Sequence, residues 1–288
     1  MGAPNPVLTV DLEEWFHVCG HPLYGDPARW DGFLSRVGPS TELLLDLLAR
    51  TRSRATFFVL GWIARRHPSL VARIVREGHE VGCHGDLHVR ADEVSLEAFR
   101  ADVRAGKAAV EDASGQAVTA FRAPEWSLRR ADSPALALLV EEGFTVDSSL
   151  QAVPPIGDRG NPTRPTLLPT SAGPILEVPP LVGTFLGFPA MLGGGWTARL
   201  SRESRVRRAM AAAEASGIPA VLYVHPWEVD PDHPAMELSP IPRLVHFAGR
   251  GRVLPRLARL CEATPTVPLS AVVSGAARGT REAPGVAA

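Results

Sequence analysis

Cysteine, lysine and long apolar runs are all scarce in this chain, and each scarcity excludes something. Cys19, Cys83 and Cys261 are odd in number and widely spaced, so they make neither a disulfide framework nor a CxxC metal knuckle. No stretch approaches the ~18 consecutive apolar residues of a membrane span. Residues 1–6 hold no basic segment or apolar run ahead of the strand-like Val7-Leu8-Thr9-Val10, and no secretory leader is read there. Neither charge sign is in excess. The 30 basic and 31 acidic residues leave a net charge of -1, which excludes the broad basic field of a nucleic-acid or anionic-lipid binder. Among the basic residues Lys107 is the one lysine, and the scattered arginines read as coding bias. The expectation is a soluble, cytoplasmic protein without a nucleic-acid partner.

What is present is ordinary globular material: 288 residues, 45% hydrophobic and 21% charged, enough to bury a sizeable core. Length alone allows two domains or one α/β barrel of ~250 residues. Short apolar runs alternate with helical patterns, the signature of an α/β fold with a mostly parallel sheet. Strands are expected at residues 7–12, 55–60, 79–83, 118–122, 144–147, 175–178 and 220–224. Helices are expected at 41–48, 69–77, 95–113, 133–142, 202–216 and 252–262. Residues 154–174, crowded with Pro and Gly, read as a long loop. Gly193-Gly194-Gly195 marks a turn or a close backbone approach. About seven strand–helix passes favour one barrel. The expectation is a single domain over residues 1–272, with a core at 7–230 and an extension at 231–272, followed by a flexible tail at 273–288.

Polar residues collect just after the strands, where barrel enzymes place their sites. In Asp11-Leu12-Glu13-Glu14, positions i and i+2 of a strand share a face, so Asp11 and Glu13 point together. Two such carboxylates repel unless a cation or a proton joins them; the alternative is a solvated strand end. In His84-Gly85-Asp86-Leu87-His88, two imidazoles three residues apart can face one ion and, with one carboxylate, leave a position for water. In Phe121-Arg122-Ala123-Pro124-Glu125-Trp126, Arg122 can fix a carboxylate by a two-pronged bond, while Pro124 stiffens the turn. Asp147 ends another strand as a site acid or a turn cap. In His225-Pro226-Trp227-Glu228, His225 can donate a proton near neutral pH and Trp227 can form a flat wall for a ring. The remaining histidines, among them His17, His233 and His246, have no comparable partners and read as structural or surface residues. Strand alternation turns Cys83 away from these groups.

The ordered series TVDLEEWF, ATFFVLGW, EGHEVGCHGDLH, FRAPEWSL, FTVDSS and LYVHPWEVD resembles the polysaccharide deacetylase family, also called NodB-homology or carbohydrate esterase family 4. DLEEWF, FFVLGW and HPWEVD are most similar to its exopolysaccharide-locus (PEP-CTERM/exosortase-associated) branch, and LEVPP, GGGW and SPIPRLVHF extend that likeness to about residue 260. The resemblance implies a distorted (β/α)7 barrel and one divalent metal, usually Zn2+, with Co2+, Ni2+ or Mn2+ as alternatives. It maps the metal triad onto Glu13, His84 and His88. The base falls on Asp11, the arginine motif on Arg122 with Pro124 and Trp126, and the acid histidine on His225. Trp126, Trp227, Asp147 and Pro124 are the substrate-side residues. Most members have two adjacent aspartates where this chain has Asp11-Leu12-Glu13-Glu14, which leaves Glu14 open as the metal acid. Asp86 within HGDLH also departs from the pattern, as a ligand or a neighbour that perturbs one.

The implied activity is hydrolytic removal of an N-acyl group, foremost N-acetyl, from an amino-sugar unit of a saccharide or its precursor. The alternatives are a non-sugar amide as substrate of the same fold, or a decayed carbohydrate-binding homologue. Oligomeric state is not legible in the sequence.

Overall fold

In a computed structural model, residues 4–273 are described; the tail expected at 273–288 lies outside them except for its first residue, Val273, which is helical. Among the described residues ten strands form: β1 (Val7–Leu12), β2 (Thr56–Val59), β3 (Glu80–Cys83), β4 (Ala120–Phe121), β5 (Val146–Asp147), β6 (Thr166–Thr170), β7 (Gly173–Glu177), β8 (Val182–Phe185), β9 (Phe188–Met191) and β10 (Val221–Val224). Eight of them make one curled sheet in the order β10-β1-β2-β3-β4-β5-β7-β6. The first seven in that order run parallel, and β6 is an antiparallel edge. Main-chain bonds from Leu181 N–H to the Val221 carbonyl and from Tyr223 N–H to the Gly193 carbonyl, both 2.9 Å, occupy the far edge of β10. The seven parallel strands match the expected barrel.

Burial on both faces explains the nearly continuous apolar strands. Val7, Phe58, Ala120, Val146, Leu176 and Val221 join in one cluster inside the curl. Their neighbours Leu8, Phe57, Phe121, Ile175 and Leu222 belong to the larger core outside it, beneath the helices. This alternation sets the direction of every strand-end side chain that follows. Asp11 shares the inward parity of Val7, Arg122 that of Ala120, Ser148 that of Val146, and Tyr223 that of Val221.

The stretch expected as a loop at 154–174 contains β6, which pairs with β7 from Thr166↔Glu177 to Thr170↔Gly173. Pro169 is tolerated there because β6 is an edge strand. The β8–β9 hairpin was also not foreseen; it turns through Leu186 (φ 52°) and Gly187 (φ 84°), the positive-φ pair that a tight hairpin requires. Further helices not anticipated are Gly61–Arg66, Gly195–Leu200 and Pro240–Phe247. The close approach expected at the triple glycine is present. A side chain at Gly193 or Gly194 would run into the carbonyls of Val221 and Tyr223 on β10. No helix of the described residues is long and apolar enough to cross a membrane.

Candidate active site

The carboxyl ends of the parallel strands open into a cleft of about 570 Å³, floored by Asp11, Glu13, His84, His88 and His225. Each reaches it for a local reason. Asp11 is the last inward side chain of β1, and Glu13 follows two residues on. The turn carrying His84 and His88 is held by Asp102, whose carboxylate accepts from the amides of Asp86 and Leu87 at 2.9 Å each. Gly85 (φ 79°) lets that turn lie against Asp102, since a Cβ there would sit 2.5 Å from its oxygen.

Arg122 is fully buried. Its Nη1 donates to Asp11 Oδ1 and Thr9 Oγ1 at 2.7 Å each, its Nε to the Ser148 carbonyl at 2.9 Å and its Nη2 to Ser148 Oγ at 2.8 Å. These bonds leave Asp11 Oδ2 on the cleft side, 3.8 Å from His225 Nε2. Glu13 Oε1 lies 2.9 Å from His84 Nε2 and 3.0 Å from His88 Nε2. His84 Nδ1 stands 2.7 Å from the Arg122 carbonyl, so that nitrogen carries a proton and Nε2 turns toward the carboxylate. Burial opposes ionisation of Glu13, but His88 and His225, with hydrogen bonds from His84 and His88, hold it well below the usual carboxylate range. Burial likewise opposes charge on His88, and Cys19 and Glu13 outweigh it to raise its pKa.

This donor set fits a divalent cation. With Nδ1 of His84 protonated, the Nε2 lone pair meets the Glu13 oxygen, and such a pair of acceptors coexists only around a proton or a metal ion. One oxygen and two imidazole nitrogens, mutually within 4.8 Å and all buried, are a three-ligand set with room for water. The sequence left Glu13 and Glu14 open as the acid here, and the structure separates them. Glu14 turns to the helix Val37–Thr51, where its carboxylate accepts from the Ser35 hydroxyl and from the Arg36 and Val37 amides. Asp86 is drawn off as well, paired with Arg65 at 2.6 Å.

His225 N–H and Nδ1 both lie 3.0 Å from Glu228 Oε2, and Glu228 Oε1 pairs with buried Arg199. Burial favours a neutral imidazole, yet Glu13, Glu228 and Asp11 raise the His225 pKa to about 9. Burial raises the Glu228 carboxyl, and His225 and Arg199 bring it down to about 2.

Two expected substrate-side residues are elsewhere. Asp147 is an outward position between inward Val146 and Ser148, so it cannot face the cleft. It sits beside its register partner Glu177 and accepts from Ser149 Oγ at 2.5 Å. Burial raises both carboxyls, Glu177 further because Asp147 adjoins it. Pro124 is buried at the start of its turn, with its ring beside Gly85, and stiffens the wall rather than lining it. Trp126 borders the cleft, with the Arg122 guanidinium 4.9 Å from its ring. Trp227 also borders it, but stacks on His225 (5.1 Å, 26°) and His246 (4.2 Å, 9°). Imidazoles thus take up ring face that the sequence assigned to a sugar.

Sequence reasoning missed several residues of the cleft. His17 and His246, read as structural or surface residues, line it, as do Glu125, Arg129, Tyr223 and Arg199. Glu228 had a signal, since a helix-start residue followed three positions later by Glu is a capping-box spacing. Arg199 had none.

Comparisons with known proteins divide the chain in two. Residues 31–144 match the polysaccharide deacetylase family model, and residues 148–273 match a domain of unknown function, DUF3473. The first match holds His84, His88 and Arg122, and the second holds His225 and Glu228; Asp11 and Glu13 precede both. The β5–β7 pairing joins strands on either side of the boundary into one sheet. The chain is 40% identical over 67 residues to a peptidoglycan-N-acetylglucosamine deacetylase of Bacillus cereus, covering 23% of this chain and 32% of that protein. It is 38% identical over 76 residues to a chitooligosaccharide deacetylase of Rhizobium leguminosarum, covering 26% and 35%. The chain thus spans about a third of the length of these curated relatives. In fold, it is similar to the crystal structure of a candidate polysaccharide deacetylase from Mycobacterium smegmatis, with TM-score 0.61, 19% identity and coverage of 100% and 97%.

Proposed function

Residues 31–144 match the polysaccharide deacetylase family model, and on that premise we propose that the chain hydrolyses an N-acyl amide, foremost the acetamide of an N-acetylhexosamine unit in a saccharide or its precursor. The observation that carries this reading is the convergence on one cleft floor of the Asp11–Arg122 pair, the Glu13–His84–His88 set and the His225–Glu228 pair.

Glu13, His84 and His88 would hold the divalent cation, with Zn2+ the first choice for two imidazoles and one carboxylate. When bound, such an ion supplies Lewis-acid polarisation of the amide carbonyl and a lowered pKa for water. The chain's own residues supply the proton transfers. Arg122 orients Asp11 through Oδ1, which leaves Oδ2 to accept a proton from the attacking water. His225, cationic below about pH 9, donates from Nε2 to the departing amine while Glu228 keeps Nδ1 in place. In the turn at 123–126, Ala123 N–H is taken by Ser149 Oγ and Trp126 N–H by the Ala123 carbonyl. Pro124 has no N–H, so within this turn the Glu125 amide is the donor left for an oxyanion. Trp126 serves as the flat wall for the sugar ring.

The test is acetate release from N-acetylglucosamine oligomers beside a panel of non-sugar amides, before and after chelation. The expected result is release from the sugar that chelation abolishes and zinc restores. Hydrolysis confined to the non-sugar amides would move the substrate class, and full activity after metal stripping would remove the cation from the scheme.

A further inference from the structure

The loop after β1 returns to the floor of the cleft at a second point. Cys19, half-buried, places Sγ 3.2 Å from His88 Nδ1 and donates its S–H to the His88 carbonyl, also at 3.2 Å. Its own backbone N–H donates to Glu125 Oε1 at 3.1 Å. Glu125 is in turn held by Arg90, 2.8 Å from Oε2. The sulfur is therefore anchored from behind. His88 has φ 55°, a left-handed conformation that a non-glycine residue keeps when its surroundings over-determine it. The two imidazoles of the site thus have different supports: a backbone carbonyl behind His84 and a thiol behind His88.

With its own proton directed to the carbonyl, the sulfur offers a lone pair to the ring nitrogen in front of it. We propose that Cys19 is a positioning residue for His88: its sulfur accepts the Nδ1–H hydrogen bond, fixes the tautomer and turns Nε2 toward Glu13. The inference rests on reading Glu13, His84 and His88 as the cation site. Partners behind a metal-binding histidine commonly control affinity by ~10–100-fold when removed. A thiol is an uncommon choice for that task because sulfur is a weak acceptor. Its use here follows from the backbone clamp, which supplies the placement that a strong hydrogen bond would otherwise supply.

The experiment is zinc affinity by competition with a chromophoric chelator, for wild type, Cys19→Ala and Cys19→Ser, together with the melting temperature of each zinc-free protein. Cys19→Ala is expected to bind zinc ~10–100-fold more weakly with an unchanged zinc-free melting temperature. Cys19→Ser, whose hydroxyl donates and accepts in the same place, is expected to regain most of the affinity. Wild-type affinity in Cys19→Ala overturns the proposal, as does a loss that Cys19→Ser shares in full. Should Cys19→Ala not fold, the 15N spectrum of the zinc-loaded wild type decides. A His88 proton on Nδ1 supports the proposal, and one on Nε2 overturns it. A wild type that takes up no zinc overturns the reading of the site itself, and this inference with it.

Discussion

At the end of β1, Asp11 shares the inward face of Val7 and meets Arg122. At the end of β5, Asp147 falls between inward Val146 and Ser148 and meets Glu177 on the outer side. Both are buried acids closing a parallel strand, and both were candidate site residues. A difference of one position in parity gives one of them a guanidinium partner and a cleft, the other a neighbouring carboxyl and a raised pKa. The lesson concerns environment. A fixed cation compensates a buried carboxylate, whereas burial beside a like group pushes a carboxyl toward its neutral form. The inward residue of the β5 end still serves the site, since Ser148 accepts from Arg122 through both its carbonyl and its hydroxyl.

Four substitutions probe this contrast. The largest effect is expected from His84→Ala, which removes one of the three donors facing the cation. Zinc content, read by elemental analysis, should fall to background and acetate release with it. Next, Asp11→Asn should retain zinc while kcat falls by ~10²–10⁴-fold, the usual weight of a general base. Loss of zinc instead would exchange the roles of Asp11 and Glu13.

A smaller effect, visible in pH dependence, is expected from Glu228→Gln. The His225 pKa is raised to about 9, so its acid function is present below that pH and is lost as pH rises through it. Removing Glu228 takes away part of the pull, and the alkaline limb of kcat should move to lower pH with little change on the acid side. An unmoved limb would assign it to another group. The smallest effect on catalysis should come from Asp147→Asn, with kcat kept within about threefold and stability changed by less than ~2 kcal/mol, read by chemical denaturation. The wild-type pair, with both carboxyls raised, loses stability as pH rises because a second negative charge must form in the interior. Asp147→Asn should lose less over the same range. A large catalytic loss would bring the β5 acid back into the site.

Much of the site was legible before the fold was known. The i, i+2 spacing put Asp11 and Glu13 on one side, the HxxxH spacing put His84 and His88 together, and strand ends located Arg122 and His225. These are local consequences of strand and turn geometry. Glu13 and Glu14 could not be separated in the same way, because their fates depend on the helix Val37–Thr51, whose free amides capture Glu14. Nor could Glu228–Arg199, whose partners are 29 positions apart, or the imidazoles of His17 and His246, which reach the cleft on loops and a surface helix with no strand register to announce them.

By itself, then, the sequence determined the seven parallel passes, the chemistry at their ends and the resemblance that orders those motifs. Each depends on neighbours a few positions apart. Which strand-end side chains face the cleft, which acid joins the histidines and what orients His225 were decided by tertiary structure alone. The physical reason is that inward and outward have no meaning along a single strand; they are set when distant strands curl the sheet and bury one face against itself and the other beneath the helices.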